Sequence, residues 1–578
     1  MVGTPDDHEG GHTESTTAST KTATKSEPNI AVALSGGGHR AALWGAGVLL
    51  ALVDAGVNAD VTTISSVSGG SIANGAVAAH VDFQQVGETE LEHVLRPAIR
   101  QWATGGLFFT GPPTDRYVGS VFNAAITFVA VVISFVLGLV ALGQHWSFIA
   151  VAATAAALCL VASGVALFLP TGALARYQTE LVAGAVVVGP AAIASLLAAT
   201  HAHTWYSQIA FVLVGGAVVG LLGHRAVARF GRRSVELDDA LATGLLARNE
   251  NGTTVVQPLP TTVGPAATHH VFCSTDLQTG NHAYLSRSWV YSDGIGLRTP
   301  AESFRLSTAV QASACLPGAF APRTIPDASF EPLSPGVAHN ANAEDAGSPD
   351  SRLVLSDGGV YDNMADQWTF GEDQRHRRLT TAGVDVSPLP PRADVLIVAN
   401  AGGSMDERTM ASTRGLAGEV RALLRNKDTL YDVTTAVRRR YLIEMFRLAE
   451  RSGSGLQGNL VQITQDPRAV VRAAMNSDAE ATRGRAVEAH AVLSAIEAAD
   501  PAAEPWDEVA RTNRSIPTTL GPIGAVESAR LLQHAYVLTR INTYMWTGQG
   551  RLPDPHDTRQ IGACLRVRFD DLVGVPDP

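Results

Sequence analysis

Short apolar runs that stop at glycine or serine alternate along this chain with stretches of helical period. Ile30–Leu34 is the first such run; it ends in Ser35-Gly36-Gly37-Gly38, and Ala41–Ala55 then carries the spacing of a helix. The pattern repeats in Val61–Ser66 and in Ser71–His80, as strand and helix. Further strands are predicted at His270–Cys273, Arg352–Leu355, Val395–Ala399 and Leu460–Ile463. Helices are predicted at Ser303–Ala314, Thr413–Leu424, Leu430–Ala449 and Val526–Tyr544. Strands that alternate with helices predict an α/β sandwich, whose site lies at the carboxyl ends of its strands.

One region breaks the alternation. From Tyr117 to Ala175, and again from Leu181 to His224, there is no Asp, Glu, Lys or Arg. Four apolar segments lie there, Val118–Leu142, Phe148–Leu169, Leu181–Ala199 and Trp205–Gly223. Each approaches the roughly 20 residues a helix needs to cross a bilayer. Arg116, Arg176, Arg225, Arg229, Arg232 and Arg233 all flank the ends that four spans would bring to one side, which the positive-inside rule makes cytoplasmic. The expected organisation is a disordered polar tail (1–28), an α/β domain in two parts (29–116 and 234–405), a four-helix transmembrane insert between them (117–233), and a mostly helical extension (406–578). The extension either completes or covers the α/β domain. Without ionisable groups inside the spans, transport is not expected.

The chain has 578 residues, a net charge of −11 and 17% charged residues. Its mean hydropathy of +0.11 is high for a soluble protein. An acidic chain does not offer the basic face that nucleic acid needs. Four scattered cysteines, Cys159, Cys273, Cys315 and Cys564, make no C-x-x-C pair, so neither a disulfide framework nor a structural zinc is expected. The run Arg438-Arg439-Arg440-Tyr441 reads either as a solvated helix face or as a contact for anionic lipid headgroups.

Two of the strand ends carry chemistry. A glycine turn at Gly36–Gly38 can aim several N–H groups at one anion. Ser66-Val67-Ser68-Gly69-Gly70 reads as a strand-to-helix turn that presents Ser68 as a nucleophile. Together they point to acyl transfer. The base is open between a triad histidine held by a carboxylate and a direct Ser–Asp pair. Asp357, in Ser356-Asp357-Gly358-Gly359 after the run Leu353–Leu355, suits the second arrangement. There is no G-K-[ST], so a Walker phosphate loop is excluded.

In these motifs and their order, G-G-G-x-[RK], G-x-S-x-G and D-G-[GA], the chain resembles the patatin-like phospholipases. They stand here as Gly36-Gly37-Gly38-His39-Arg40, Ser66-Val67-Ser68-Gly69-Gly70 and Asp357-Gly358-Gly359. Weaker family-like blocks lie at Phe272–Gly280, Ala309–Phe320 and Val360–Asn363. The resemblance implies a patatin-like three-layer α/β/α sandwich, Ser68 as nucleophile and Asp357 as its base. It also implies an oxyanion hole from the Gly36, Gly37 and Gly38 region supported by Arg40, with neither metal nor cofactor. The substrate it implies is an ester of an acyl lipid, and the bilayer is the partner. Ser66 departs from the family's usual glycine, and a transacylase or an inactive scaffold that keeps the fold stays open beside the hydrolase.

Overall fold

The computed structural model describes residues 28–105, 234–235, 237–250, 253–259, 268–317, 320–332, 352–402, 416–501, 503–518, 522–554 and 563–575. The tail and the four expected membrane segments lie outside them. Among the described residues no helix is long and apolar enough to cross a membrane.

Eleven strands form one mixed sheet: β1 (Ile30–Leu34), β2 (Val61–Ser66), β3 (His269–Asp276), β4 (His282–Ser286), β5 (Val290–Ser292), β6 (Gly296–Pro300), β7 (Arg323–Pro326), β8 (Phe330–Pro332), β9 (Arg352–Asp357), β10 (Val395–Asn400) and β11 (Gln457–Gln462). Their order is β8-β6-β5-β4-β3-β2-β1-β10-β11, and β9 pairs with β3 and β7. The five strands from β3 to β11 in this order run parallel, and the rest pair antiparallel. All five residues of β1 and all six of β10 are buried, because these strands are covered on both faces. Along β1 the side chains still divide. Ile30, Val32 and Leu34 enter one core, and Ala31 and Ala33 enter the other. Each Val or Leu so buried contributes about 1.5–3 kcal/mol of transfer free energy.

The larger core holds α1 (Gly38–Asp54), α2 (Gly69–His80), α3 (Glu88–Thr104), α4 (Leu306–Ser313) and, from beyond residue 405, α6 (Pro467–Met475), α7 (Glu480–Ala499), α8 (Ala525–Asn542) and α9 (Ala563–Val573). The smaller core, on the opposite face of the sheet, is closed by Trp368 and Met364 and by Leu442 and Phe446 of α5 (Leu416–Ser452). The result is three layers. Every residue of α1 is buried, which follows from its having the sheet beneath it and α8 outside it. Trp44 of α1 donates from Nε1 to Val461 O of β11 at 3.2 Å and meets the His534 ring of α8 edge-on at 5.2 Å.

The structure extends the expected elements in three places. The strand expected at His270–Cys273 continues to Asp276, and that extension receives β9. The two helices expected between Thr413 and Ala449 are one, α5. The meander β4 to β6 and the helix α3 are additions to the expected elements, and α6 and α7 give bounds to helices within the extension expected to be mostly helical.

Candidate active site

The site is assembled along one edge of β3. Strand β2 runs parallel to β3 and stops at Ser66, opposite Phe272. Strand β9 runs antiparallel along the same edge and stops at Asp357, opposite Ser274. The carboxyl ends of β2 and β9 thus face each other across the width of one residue, Cys273. Two residues of strand rise are about 7 Å, so the chain just beyond β2 meets the end of β9.

Ser68 lies in that gap. Its backbone has φ 51° and ψ −119°, and among the described residues Ala365 is the only other non-glycine with positive φ. Such a conformation costs about 1–3 kcal/mol and persists only where the surroundings enforce it. Here the Ser68 N–H donates to Ser313 O at 3.1 Å and lies 3.3 Å from Ser313 Oγ. Ser313 Oγ donates to Cys273 O at 2.6 Å and meets Ser71 Oγ at 2.7 Å. The next residue, Gly69, sits against the Gly38 carbonyl so closely that a Cβ would overlap its oxygen. Serine elbow and glycine turn therefore touch backbone to backbone.

The glycine turn has one N–H already committed, Gly36 to Asn363 O at 2.9 Å. Gly37 (φ 141°) and Gly38 (φ 62°) adopt conformations that glycine alone takes without strain, and they open α1. The N–H groups of a first helical turn have no partner within the helix and form its positive end. Arg40 is 5% exposed. Its guanidinium donates to Ile516 O and, at 3.3 Å, to Thr518 Oγ1, tying the turn to the C-terminal part of the chain.

Asp357 is buried. Its N–H donates to Cys315 O at 3.0 Å, and its carbonyl accepts from Thr275 Oγ1 at 2.9 Å. Oδ1 accepts the Gly359 N–H at 2.8 Å, while Oδ2 is buried without a hydrogen bond of normal geometry. Burial pushes this carboxyl up to about 6, and the Gly359 N–H and the Ser68 side chain pull the other way. The Ser68 side chain thus favours the carboxylate form of Asp357.

Ser66 faces away from this gap. Its hydroxyl donates to Val271 O at 3.2 Å and receives Asn74 Nδ2 at 2.8 Å, with Ser71 Oγ at 3.0 Å. Asn74 Oδ1 in turn lies 2.6 Å from His270 Nδ1. A side chain in the place of the family's glycine is accommodated because polar partners surround it. Gly70 and Gly358 pack against the backbone of Leu34 and Cys273, leaving the turns no wider than glycine permits.

Three contributors fall within the family-like blocks Ala309–Phe320 and Val360–Asn363, but no local pattern there marks their individual roles. Ser313 and the Cys315 carbonyl, at the end of α4, hold Ser68 and Asp357 respectively. Asn363 bonds the glycine turn through its carbonyl, and its side-chain oxygen packs against Gly36 and Gly359. Behind Asn363, Arg438 of α5 bonds Asp366 at 2.8 Å and Asp362 at 3.4 Å. Burial and the neighbouring Asp362 push the Asp366 carboxyl up. The first residue of the arginine run therefore points inward, to the turn that follows Asp357.

The family model described as patatin-like phospholipase matches residues 32–365. The crystal structure of VipD from Legionella pneumophila aligns over 94% of this chain and 90% of its own, at 10% identity and a TM-score of 0.24, a likeness too low to carry any argument. No curated protein matches the chain.

Proposed function

The chain belongs to the patatin-like phospholipase family, whose members are serine hydrolases of lipid esters, and on that premise we propose a membrane-integral lipid acyl hydrolase with Ser68 as nucleophile and Asp357 as its base. One observation carries the reading: the ends of β2 and β9 converge on one edge of β3, bringing a strained serine to a buried carboxylate.

In the proposed reaction Asp357 Oδ2 takes the Ser68 hydroxyl proton as Ser68 Oγ bonds to the ester carbonyl carbon. The carbonyl oxygen becomes an oxyanion, met by the N–H groups of Gly37 and Gly38; that of Gly36 is spent on Asn363. Collapse of the intermediate breaks the bond to the leaving alkoxide, which receives the proton from Asp357. Water then attacks the acyl-enzyme and gives a proton to Asp357. Release of the fatty acid returns that proton to Ser68. The role of Arg40 is to hold the glycine turn in register, because its guanidinium is engaged with Ile516 and Thr518.

Membrane integration is supported by the four uncharged segments between Val118 and Gly223 and by the arginines at their shared ends. The proposal puts the catalytic domain on the cytoplasmic side. Fluorophosphonate labelling tests the chemistry. The purified wild-type chain is expected to label and Ser68→Ala not to; a wild type that does not label, or equal labelling of both, would sink it.

A further inference from the structure

Helix α5 has an anomalous outer face. Leu442 and Phe446 turn its inner side into the smaller core. A surface helix normally shows polar side chains on the opposite side. Val433, Val437, Tyr441 and Leu448 stand there instead, each more than half exposed. At 100° per residue these four fall within an arc of about 80°. Of the twelve exposed large apolar side chains among the described residues, these are four, and two more, Val360 and Tyr361, belong to the turn that follows Asp357.

The two groups are joined. Arg438, between Val437 and Tyr441 in sequence, bonds Asp362 and Asp366 just beyond Tyr361. The Tyr441 ring meets Phe370 at 5.3 Å. Arginines border the apolar arc. Arg440 and Arg447 stand just outside the Val433 edge of the arc and Arg451 on that edge, all three exposed; Glu444, exposed within the arc, is paired with Arg447 at 3.0 Å. An apolar stripe edged by arginines, on a rigid helix fixed to the catalytic turn, matches a bilayer that carries anionic headgroups above an apolar interior.

We infer that the Val433–Leu448 face of α5 docks on an anionic phospholipid surface and holds the mouth of the Ser68 site against it. This rests on the lipid hydrolase reading and adds the surface through which the substrate-bearing bilayer is met. The arginines select anionic lipid, Val433, Val437 and Tyr441 enter the headgroup layer, and the Arg438 pairs keep the catalytic turn in line with the helix.

The test uses the full chain reconstituted with phosphatidylcholine vesicles, with or without phosphatidylglycerol. Cys159→Ser and Cys564→Ser leave two cysteines, Cys273 and Cys315, both buried, so Val437→Cys takes an environment-sensitive fluorophore. With phosphatidylglycerol its emission is expected to shift blue and to be quenched by lipid-borne nitroxides. Arg440→Gln with Arg451→Gln is expected to remove the preference for phosphatidylglycerol. Val433→Asp with Val437→Asp is expected to slow hydrolysis of a vesicle-borne acyl ester about tenfold while leaving a water-soluble short-chain ester unaffected. A fluorophore that stays aqueous on phosphatidylglycerol vesicles overturns the inference, as does a blue shift that depends on protein concentration and needs no vesicles, the mark of a second copy. Ser68→Ala separates the two readings. If it still cleaves the soluble ester, the hydrolase mechanism fails; if it does not and the fluorophore stays aqueous, only the docking face fails.

Discussion

Asp357 carries two opposed consequences of one burial. As the proposed base it must be ionised to accept the Ser68 proton, and burial holds this carboxyl up to about 6. The expected kcat/KM profile rises about tenfold per pH unit below 6 and levels above it, as ester hydrolysis measured across pH 4–8 will show. Stability runs the other way. The folded carboxyl lies above its ordinary value of 3.8, so the native state holds the proton more tightly, and stability is lost as pH rises from about 4 to 6. Asp357→Asn stays neutral throughout. Its carbonyl oxygen can still accept from Gly359, and it is expected to be inactive yet more stable by at most about 3 kcal/mol at pH 8, with the gain gone at pH 4. Thermal melts of both proteins at the two pH values check this. Ser313→Ala removes a hydroxyl that meets the Ser68 N–H, Ser71 and Cys273 O. With the strained elbow less firmly held, kcat is expected to fall about tenfold with KM unchanged, at a stability cost of about 1 kcal/mol.

At the scale of elements, the strands that bear the motifs were legible because each ends abruptly in glycine or serine after an apolar run. Ile30–Leu34 and Val61–Ser66 stand in the structure with the ends the pattern predicts. The meander β4 to β6 was not legible. Its strands are three to five residues long and have both faces largely buried, so no polar alternation marks them. The two helices expected at Thr413–Leu424 and Leu430–Ala449 are one, α5, because the residues between them include neither Gly nor Pro to stop a helix. The join of elbow to glycine turn makes a demand that the motif alone states only as a letter. Gly69→Ala puts a methyl into the Gly38 carbonyl and is expected to cost about 3 kcal/mol and to lower kcat by opening the oxyanion site. Gly484→Ala in α7, where a methyl meets nothing within 4 Å, is expected to be neutral or stabilising by up to about 1 kcal/mol, and denaturant melts compare them.

The whole molecule depends on residues that the motifs do not reach. Strand β11 continues the parallel sheet beyond β10, and α8 covers α1. Asp54 at the end of α1 accepts Tyr536 Oη and Arg568 Nη1, each at 2.6 Å. Ending the chain after residue 402 would strip Trp44 and Asp54 of these partners and leave β10 an open edge, so the shortened chain is expected in the insoluble fraction when expressed beside the full one. The sequence by itself determined the class of fold, the candidate nucleophile, the candidate base and the glycine turn, because each is a local pattern: an apolar run, its stop, and the small residues a tight turn needs. Only the tertiary structure decided that β2 and β9 meet end to end on β3, that Gly36 is spent on Asn363, that Arg40 answers to Ile516 and Thr518, and that Arg438 turns inward. Those are pairings between residues far apart in the chain, settled by sheet register and by the need of buried polar groups for partners, and neither leaves a trace in local spacing.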